Sequence, residues 1–542
     1  MNHGSSTSSL RSLQLIKEWC SDCEKIHAAC RMKNTSDIPT RLIEITTAQW
    51  RLCHTAEEAY AERVEFVALS YRWPKKPSIR LLKLNEPIFR GYQQIVALPQ
   101  LFQDAMKVAV CLGVRYIWID ALCIIQDSPD DWSNESMRMT NVYANSYCTI
   151  AAAASADPDD SLFKERSLED ILPGSTKCNT TQGNVPVIGT FVILERDSWH
   201  REFEASVLQL RGWCLQERIL APRTIHFAAS QLLWECDTLL QNETFRDIPY
   251  PRLAPTIRVS SIRHSDQNES DILASGIPFR EWANIIKSYS RCALTEANDK
   301  LVAISGLASL FHKRTNDTYF AGIWRYNLLD YLLWTSAPFA TDNDPMETML
   351  DLILRRYRTD TPARSYIAPS WSWASHHKGV YFSFLNANSF TFATLLEAQV
   401  TTINGGDFSR VTNGFIYVQG PFFSISEEES TGSEHWLISE NANIPSLMPT
   451  ILWDRIIGPQ AKPCILLLLK VKYFWGSSWH GQIEGLVLQP RIESREEYVR
   501  IGMFNSDVVW TKPRCDKYDL ELRNAAPGQH NQKVGYGAFK IY

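Results

Sequence analysis

Two apolar patterns take turns along the first half of the chain. Glu65–Tyr71 (EFVALSY) and Val114–Asp120 (VRYIWID) are almost unbroken apolar runs, the mark of strands covered on both faces. Between them, Leu98–Leu112 sets Phe102, Ala105, Met106, Ala109 and Leu112 on one stripe; Pro99 suits the first helical turn and Gly113 the stop. A second helix opens at Ser128, Pro129, Asp130 and Asp131 and continues through Trp132, Ser136, Met139 and Tyr143. Tyr147–Ala156 (YCTIAAAASA) reads as a third strand, followed by a loop from Asp157 to about Val185. Arg211–Arg223 (RGWCLQERILAPR) reads as a short helix ended by Pro222, and Thr224–Cys236 (TIHFAASQLLWEC) returns to strand. Strands alternating with helical connections predict an α/β domain over residues 61–240 with a mostly parallel sheet.

The flanks read differently. Residues 1–60 form a helical lead-in closed by an extended segment, Asp37–Ile45. Residues 241–364 begin as a polar linker and recover helical periodicity at Phe279–Leu294 and Asp299–Phe311. From residue 365 to 542 the pattern is β-like, in Ser365–Ser375, Gly414–Ile425, Cys464–Phe474, Glu484–Arg491 and Glu497–Phe504.

Composition narrows the class. The chain has 542 residues, too many for one core, with 45% hydrophobic and 21% charged residues, as in ordinary globular domains. Its net charge is −5 and no basic run exceeds Pro74-Lys75-Lys76, so a nucleic-acid footprint is absent. The polar amino terminus has no signal-peptide core, and the longest apolar run (CILLLLKVKYFW) is broken by two lysines. These features point to a cytoplasmic protein without a membrane span, and its 13 cysteines to reduced thiols. The 18 tryptophans suit aromatic cores or stacking surfaces.

Cys20, Cys23, His27 and Cys30 invite a metal reading. Their steps of 3, 4 and 3 put all four on one helix face, and ten residues of helix separate Cys20 from Cys30 by roughly 15 Å, beyond one tetrahedral ion. The segment is expected to be metal-free helix; metal would require the helix to break.

Candidate chemistry gathers at the strand ends, where ligands sit in parallel α/β sheets. Ser70, Tyr71 and Arg72 end the first run, and Asp120 ends the second before Ala121, Leu122, Cys123, Ile124 and Ile125 turn apolar again. Asp120 could equally cap the next segment or pair with a buried arginine. Glu135 falls on the apolar face of its helix near Trp132, and Glu217 lies one turn after Trp213 beside Arg211, Arg218 and Arg223. A carboxylate on such a face is paired, hydrogen-bonded or shifted in pKa, so each is either a structural salt bridge or a site residue. Glycine-rich phosphate loops, HExxH and GxSxG are all absent from the sequence.

FVALSYRW, the segment from Leu98 to Ser155, and RGWCLQERILAPRTIHF resemble the three signature blocks of the fungal heterokaryon incompatibility (HET) domain. The lead-in CEKIHAAC with IPTRLIEI, and downstream YSRCALTEANDKLVAISGLA, YFAGIWRYNLLDYLLW and APSWSWAS, resemble the family's flanks. One departure is Pro74, where the family commonly has glycine. The resemblance implies fungal nonself recognition with programmed cell death. It also implies a remote similarity to the Toll/interleukin-receptor (TIR) domain, a flavodoxin-like fold. Some TIR domains cleave NAD with the glutamate of a WCxxE pattern, which here falls on Trp213, Cys214 and Glu217; LSYR resembles the end of the strand that lines their nucleotide pocket. Two expectations follow. One is an NAD glycohydrolase with NAD as substrate and no resident cofactor or metal: Glu217 and Trp213 at the reaction, Glu135 as the competing carboxylate, and Ser70, Tyr71, Arg72 and Asp120 around the nucleotide. The other is a non-catalytic module that self-associates or binds an incompatibility partner.

Overall fold

A computed structural model describes residues 4–30, 37–58, 64–74, 77–167, 169, 171–172, 174–182, 185–193, 198–203, 206, 208–245, 269–336, 366–382, 389–425, 450–454, 464–474, 479–491, 494–510 and 534–542. Two units divide the chain, Met1–Ser265 and Asp266–Tyr542. Most of the polar segment expected as a linker after residue 241 lies outside the described residues.

The first unit is built on a nine-stranded mixed sheet. Its strands are β1 (Arg41–Ile45), β2 (Gln49–His54), β3 (Phe66–Ser70), β4 (Gln93–Gln94), β5 (Tyr116–Trp118), β6 (Thr149–Ala151), and, beyond a separate hairpin of β7 (Gly174–Gln182) and β8 (Val185–Ile193), β9 (Arg223–Phe227), β10 (Leu232–Cys236) and β11 (Leu240–Asn242). The spatial order is β11-β10-β9-β6-β3-β5-β1-β2-β4. The parallel part is the centre: β3 pairs in parallel with β5 and β6, and β6 with β9. Both margins are antiparallel: β1 runs against β5, and short loops, which can only reverse the chain, join β1 to β2 and β9 to β10. Every residue of β3 is buried, as the unbroken apolar run predicts for a strand with cover on both faces.

Among the described residues, helices α1 (Leu10–Ile26), α2 (Glu86–Phe89), α3 (Gln100–Cys111), α4 (Asp120–Cys123), α5 (Pro129–Asn145), α6 (Ser198–Phe203) and α7 (Gly212–Leu220) accompany the sheet. In α1, Leu15, Ile16, Trp19, Cys20 and Cys23 form the buried stripe, and Trp19 stacks on Trp234 of β10 with centroids 5.9 Å apart.

Several sequence expectations change here. The lead-in contributes β1 and β2 to the sheet itself, because Ile43 and Glu44 pair with Ile117 and Tyr116 of β5. Thr224–Cys236 is a hairpin rather than one strand, turning at residues 228–231. The expected loop to Val185 contains β7. Strand β5 stops at Trp118, and Asp120 begins α4, whose Ala121, Leu122 and Cys123 are buried, so the apolar residues after the aspartate are a helical turn in the core. The helix through the cysteine cluster ends at Ile26: His27 is extended (φ −95°, ψ 96°) and Ala28–Cys30 form a single 3-10 turn. The uninterrupted helix on which the metal-free expectation rested does not exist. Tertiary partners replace helical ones there, since Arg223 donates to the Cys30 carbonyl at 2.9 Å.

The second unit opens with helices Glu269–Ala274, Ile277–Tyr289, Ser305–Thr315 and Leu328–Tyr331. Strands Cys464–Phe474, Trp479–Arg491, Ser494–Trp510, Val534–Ile541 and Val411–Ile425 then pair in sequence, and the last returns to the first, closing a barrel-like ring. The expected strand Ser365–Ser375 is instead, in its described part, a turn and a 3-10 helix at Trp373–Ser375. Among the described residues, Trp282, Trp334, Trp371 and Trp373 are core and essentially inaccessible. Trp282 and Trp373 both donate their indole N–H to the Gly322 carbonyl, at 2.8 and 2.9 Å. Gly322 has φ +102°, and a Cβ there would stand 2.6 Å from Trp373 Nε1. Gly322→Ala is expected to destabilise this unit by more than about 1 kcal/mol, read from its thermal transition, because both the backbone angle and the space forbid a side chain.

Candidate functional site

Ser70 is the last residue of β3, the strand at which the parallel order reverses direction. Taken in chain order, the parallel strands lie second, first, third, fourth, so β3 and β6 diverge into connections on opposite sides. Such a switch point leaves a crevice at the carboxyl ends of the strands.

Helix α7 delivers Glu217 to that end. Its face of Cys214, Leu215 and Glu217 is buried, and Glu217 is only 5% exposed. Ser70 Oγ donates to Glu217 Oε2 at 2.5 Å. Burial pushes the Glu217 carboxyl up to about 7; the nearby Asp120 charge adds to that, while Ser70, Arg211 and the Tyr143 hydroxyl favour the ionised form and limit the rise. Asp120, two residues past the neighbouring β5 and the first residue of α4, is also raised by burial. The Trp73 indole N–H, the Tyr71 hydroxyl and the Ala121 amide (2.7 Å) all donate to it and oppose the rise. Arg211 is a cation that acts on both carboxylates, and its Nη1 reaches the Tyr71 carbonyl at 3.4 Å.

Ser70, Tyr71, Asp120 and Glu217 are therefore brought together from β3, α4 and α7. Arg72 is half-buried one residue beyond Tyr71 at the same strand end. Trp213 is half-buried and meets Trp132 of α5 edge to face, with centroids 6.3 Å apart. Glu135 has a different setting. Its Oε1 accepts from Thr40 at 2.7 Å, just before β1, and its Oε2 is buried with no hydrogen-bond partner among the described residues. Arg218, one of the arginines beside Glu217, is held by a different acid: it gives Glu235 two hydrogen bonds, at 2.7 and 3.0 Å.

Sequence reasoning did not single out Trp73, Tyr143 or Arg211 as members of this cluster. Tyr143 was visible only as an apolar-stripe residue of α5, and its hydroxyl role depends on α5 packing beside α7. Trp73 follows the strand-end motif by one residue, which is the one signal the sequence held. Chemically the cluster offers a buried carboxyl poised to ionise near neutrality, a second carboxyl, the Arg211 guanidinium with Arg72 at the same strand end, and hydroxyl donors.

Residues 66–217 match the family model of the heterokaryon incompatibility protein, HET. The chain carries a HET domain. The match opens at Phe66, the first residue of β3, and closes at Glu217, so the HET segment runs from β3 into α7 and holds every member of the cluster. A role of the heterokaryon-incompatibility type follows from the domain. Comparison with curated proteins finds no match, and comparison with solved structures finds none.

Proposed function

We propose that the HET domain is a cell-death effector in nonself recognition and that it works by hydrolysing NAD at the bond between nicotinamide and ribose. The observation that carries this reading is Glu217: a buried carboxyl with its pKa near neutrality, bonded to Ser70 at the reversal point of the sheet. The 2-1-3-4 order of the parallel strands is that of flavodoxin-like sheets, in keeping with a TIR-type nucleotide site at this strand end.

In this reading the ribose C1′–N bond breaks with its electron pair leaving on nicotinamide, and the ionised Glu217 stabilises the oxocarbenium-like sugar. Water adds to C1′ and releases a proton, giving ADP-ribose. Arg211 and Arg72 supply charge for the pyrophosphate. Glu135, bound to Thr40, takes no part.

Purified full-length protein should consume NAD, with kcat/KM rising as pH increases through about 7, because the working form of Glu217 is the anion. Glu217→Ala should lower the rate about 10³-fold. Failure of the wild-type chain to release nicotinamide would sink the enzyme reading.

A second reading, assembly without catalysis, is favoured by one observation. Leu84, Ile88, Tyr92 and Val96 are all exposed within a short segment that includes the edge strand β4. Cell killing that survives Glu217→Gln but is lost in Ile88→Asp with Val96→Asp would select it.

A further inference from the structure

The break in the helix at His27 changes what the cysteine cluster can do. With the chain turned out of the helix, His27 and Cys30 swing back toward Cys23, and Cys236 at the end of β10 closes the group. One ligand atom from each of Cys23, His27, Cys30 and Cys236 lies within 4.8 Å of all the others. Cys20, which the sequence grouped with them, is outside the cluster; its place is taken by a cysteine more than two hundred positions away.

We propose that Cys23, His27, Cys30 and Cys236 form a closed, tetrahedral, structural zinc site that fastens the lead-in segment to the sheet margin. Zinc–sulfur bonds of about 2.3 Å and a zinc–nitrogen bond of about 2.0 Å set tetrahedral edges of roughly 3.5–3.8 Å between ligand atoms. Cys236 Sγ and His27 Nδ1 stand 3.5 Å apart, already at such an edge. The three thiols are buried and His27 is half-buried, so the four side chains leave no open position for a substrate. Three cysteines and one histidine are a donor set that suits zinc and leaves it without a reactive water.

Charge is the independent observation. Arg223, at the start of β9, is 1% exposed in its side chain. Its Nε donates to Cys23 Sγ at 3.3 Å, and its other nitrogens donate to the carbonyls of Tyr147 (3.0 Å) and Cys30 (2.9 Å). The carboxylate it faces, Glu24, is 4.0 Å away and 42% exposed, a weak counter-charge for a buried guanidinium. Three thiolates and a neutral imidazole around Zn²⁺ carry one net negative charge, which is what this cation lacks. Thr238 Oγ1, 3.4 Å from Cys30 Sγ, offers a second donor to a thiolate. Donors aimed at ligand sulfurs are the usual outer shell of a thiolate metal centre. A disulfide would use two of the three sulfurs, leave the imidazole and the third sulfur unengaged, and add no negative charge beside Arg223.

All four ligands lie outside the HET match at 66–217. Two chain segments that the matched region does not contain would thus be joined by the metal, holding α1 against β10 where Trp19 already stacks on Trp234.

Full-length protein purified without chelator should contain about one zinc per chain by plasma mass spectrometry. Cys236→Ser and His27→Ala should lose it, while Cys20→Ala, a buried cysteine outside the cluster, should keep it. Because a ligand variant could fail to fold, the wild-type chain is also tested directly. Cobalt exchanged into it should show the strong visible bands of tetrahedral thiolate ligation, and a chelator should lower its thermal midpoint, with zinc restoring it. Folded wild-type protein that holds no zinc and does not respond to chelator or added zinc would overturn the site. So would peptide mapping that finds a disulfide within the cluster, or equal zinc loss in folded Cys20→Ala and Cys236→Ser.

Discussion

Replacing Arg166 by methionine is expected to cost the first unit about 3–5 kcal/mol, enough to threaten its folding at ordinary temperature. Arg166 and Glu243 are a buried pair with side-chain exposures of 1% and 2%. All five guanidinium hydrogens are used. Nε donates to the Gly4 carbonyl (3.0 Å), Nη1 to Ser230 O and Glu243 Oε2 (3.1 and 2.6 Å), and Nη2 to Ser12 Oγ and Glu243 Oε1 (3.1 and 2.8 Å). Glu243 also accepts from Ser12 Oγ at 2.7 Å and from the Leu232 amide at 3.1 Å. The pair therefore ties the amino terminus to the β10–β11 margin. Methionine would leave Glu243 buried and ionised without its cation, which is why loss of one partner costs more than the pair contributes. The double variant Arg166→Met with Glu243→Leu should recover most of the loss. Chemical unfolding of the three proteins is the measurement, and a double variant as unstable as the single would refute the desolvation account.

Glu217→Gln is expected to stabilise the domain at alkaline pH and to leave it unchanged near pH 4. Burial raises the folded-state pKa of Glu217 from its ordinary 4.5 to about 7. For a carboxyl raised in this way, stability is complete below the unfolded pKa and falls as pH rises through the folded one. The difference of those two values corresponds to about 3 kcal/mol at full ionisation. Glutamine keeps the shape and accepts from Ser70 without ever ionising. The gain in thermal midpoint over wild type should therefore grow between pH 5 and pH 8. The reverse trend, with wild type gaining on the variant as pH rises, would mark Glu217 as an ion-paired carboxylate. Glu243 acts in the opposite sense. Burial pushes its pKa up, but Arg166 and its other donors outweigh burial and hold it below the ordinary value, so its contribution disappears as pH falls.

Local pattern was enough to determine much of this protein. The unbroken apolar runs of β3 and β5 demanded cover on both faces, and the two strands lie side by side at the centre of the sheet. The stripes of α3 and α5, the strand-end placement of Ser70 and Asp120, and the buried face bearing Glu217 followed from periods of two and 3.6 residues. Those features depend on neighbours along the chain, and the sequence displays neighbours directly. What only the tertiary structure decided depends on pairs far apart in number. Arg211 supplies charge at both carboxylates, Glu135 is bound by Thr40 instead of the cluster, and β1 and β2 join the sheet through β5. The cysteine cluster is the sharpest case. Its spacing alone was compatible with one continuous helix, and nothing local marked His27 as the break. The partner that completes the group, Cys236, stands on β10, and Arg223, which takes up the Cys30 carbonyl, stands on β9. A helix end set by such distant contacts leaves no periodic trace in the residues around it, because the free energy that breaks it is supplied across the fold.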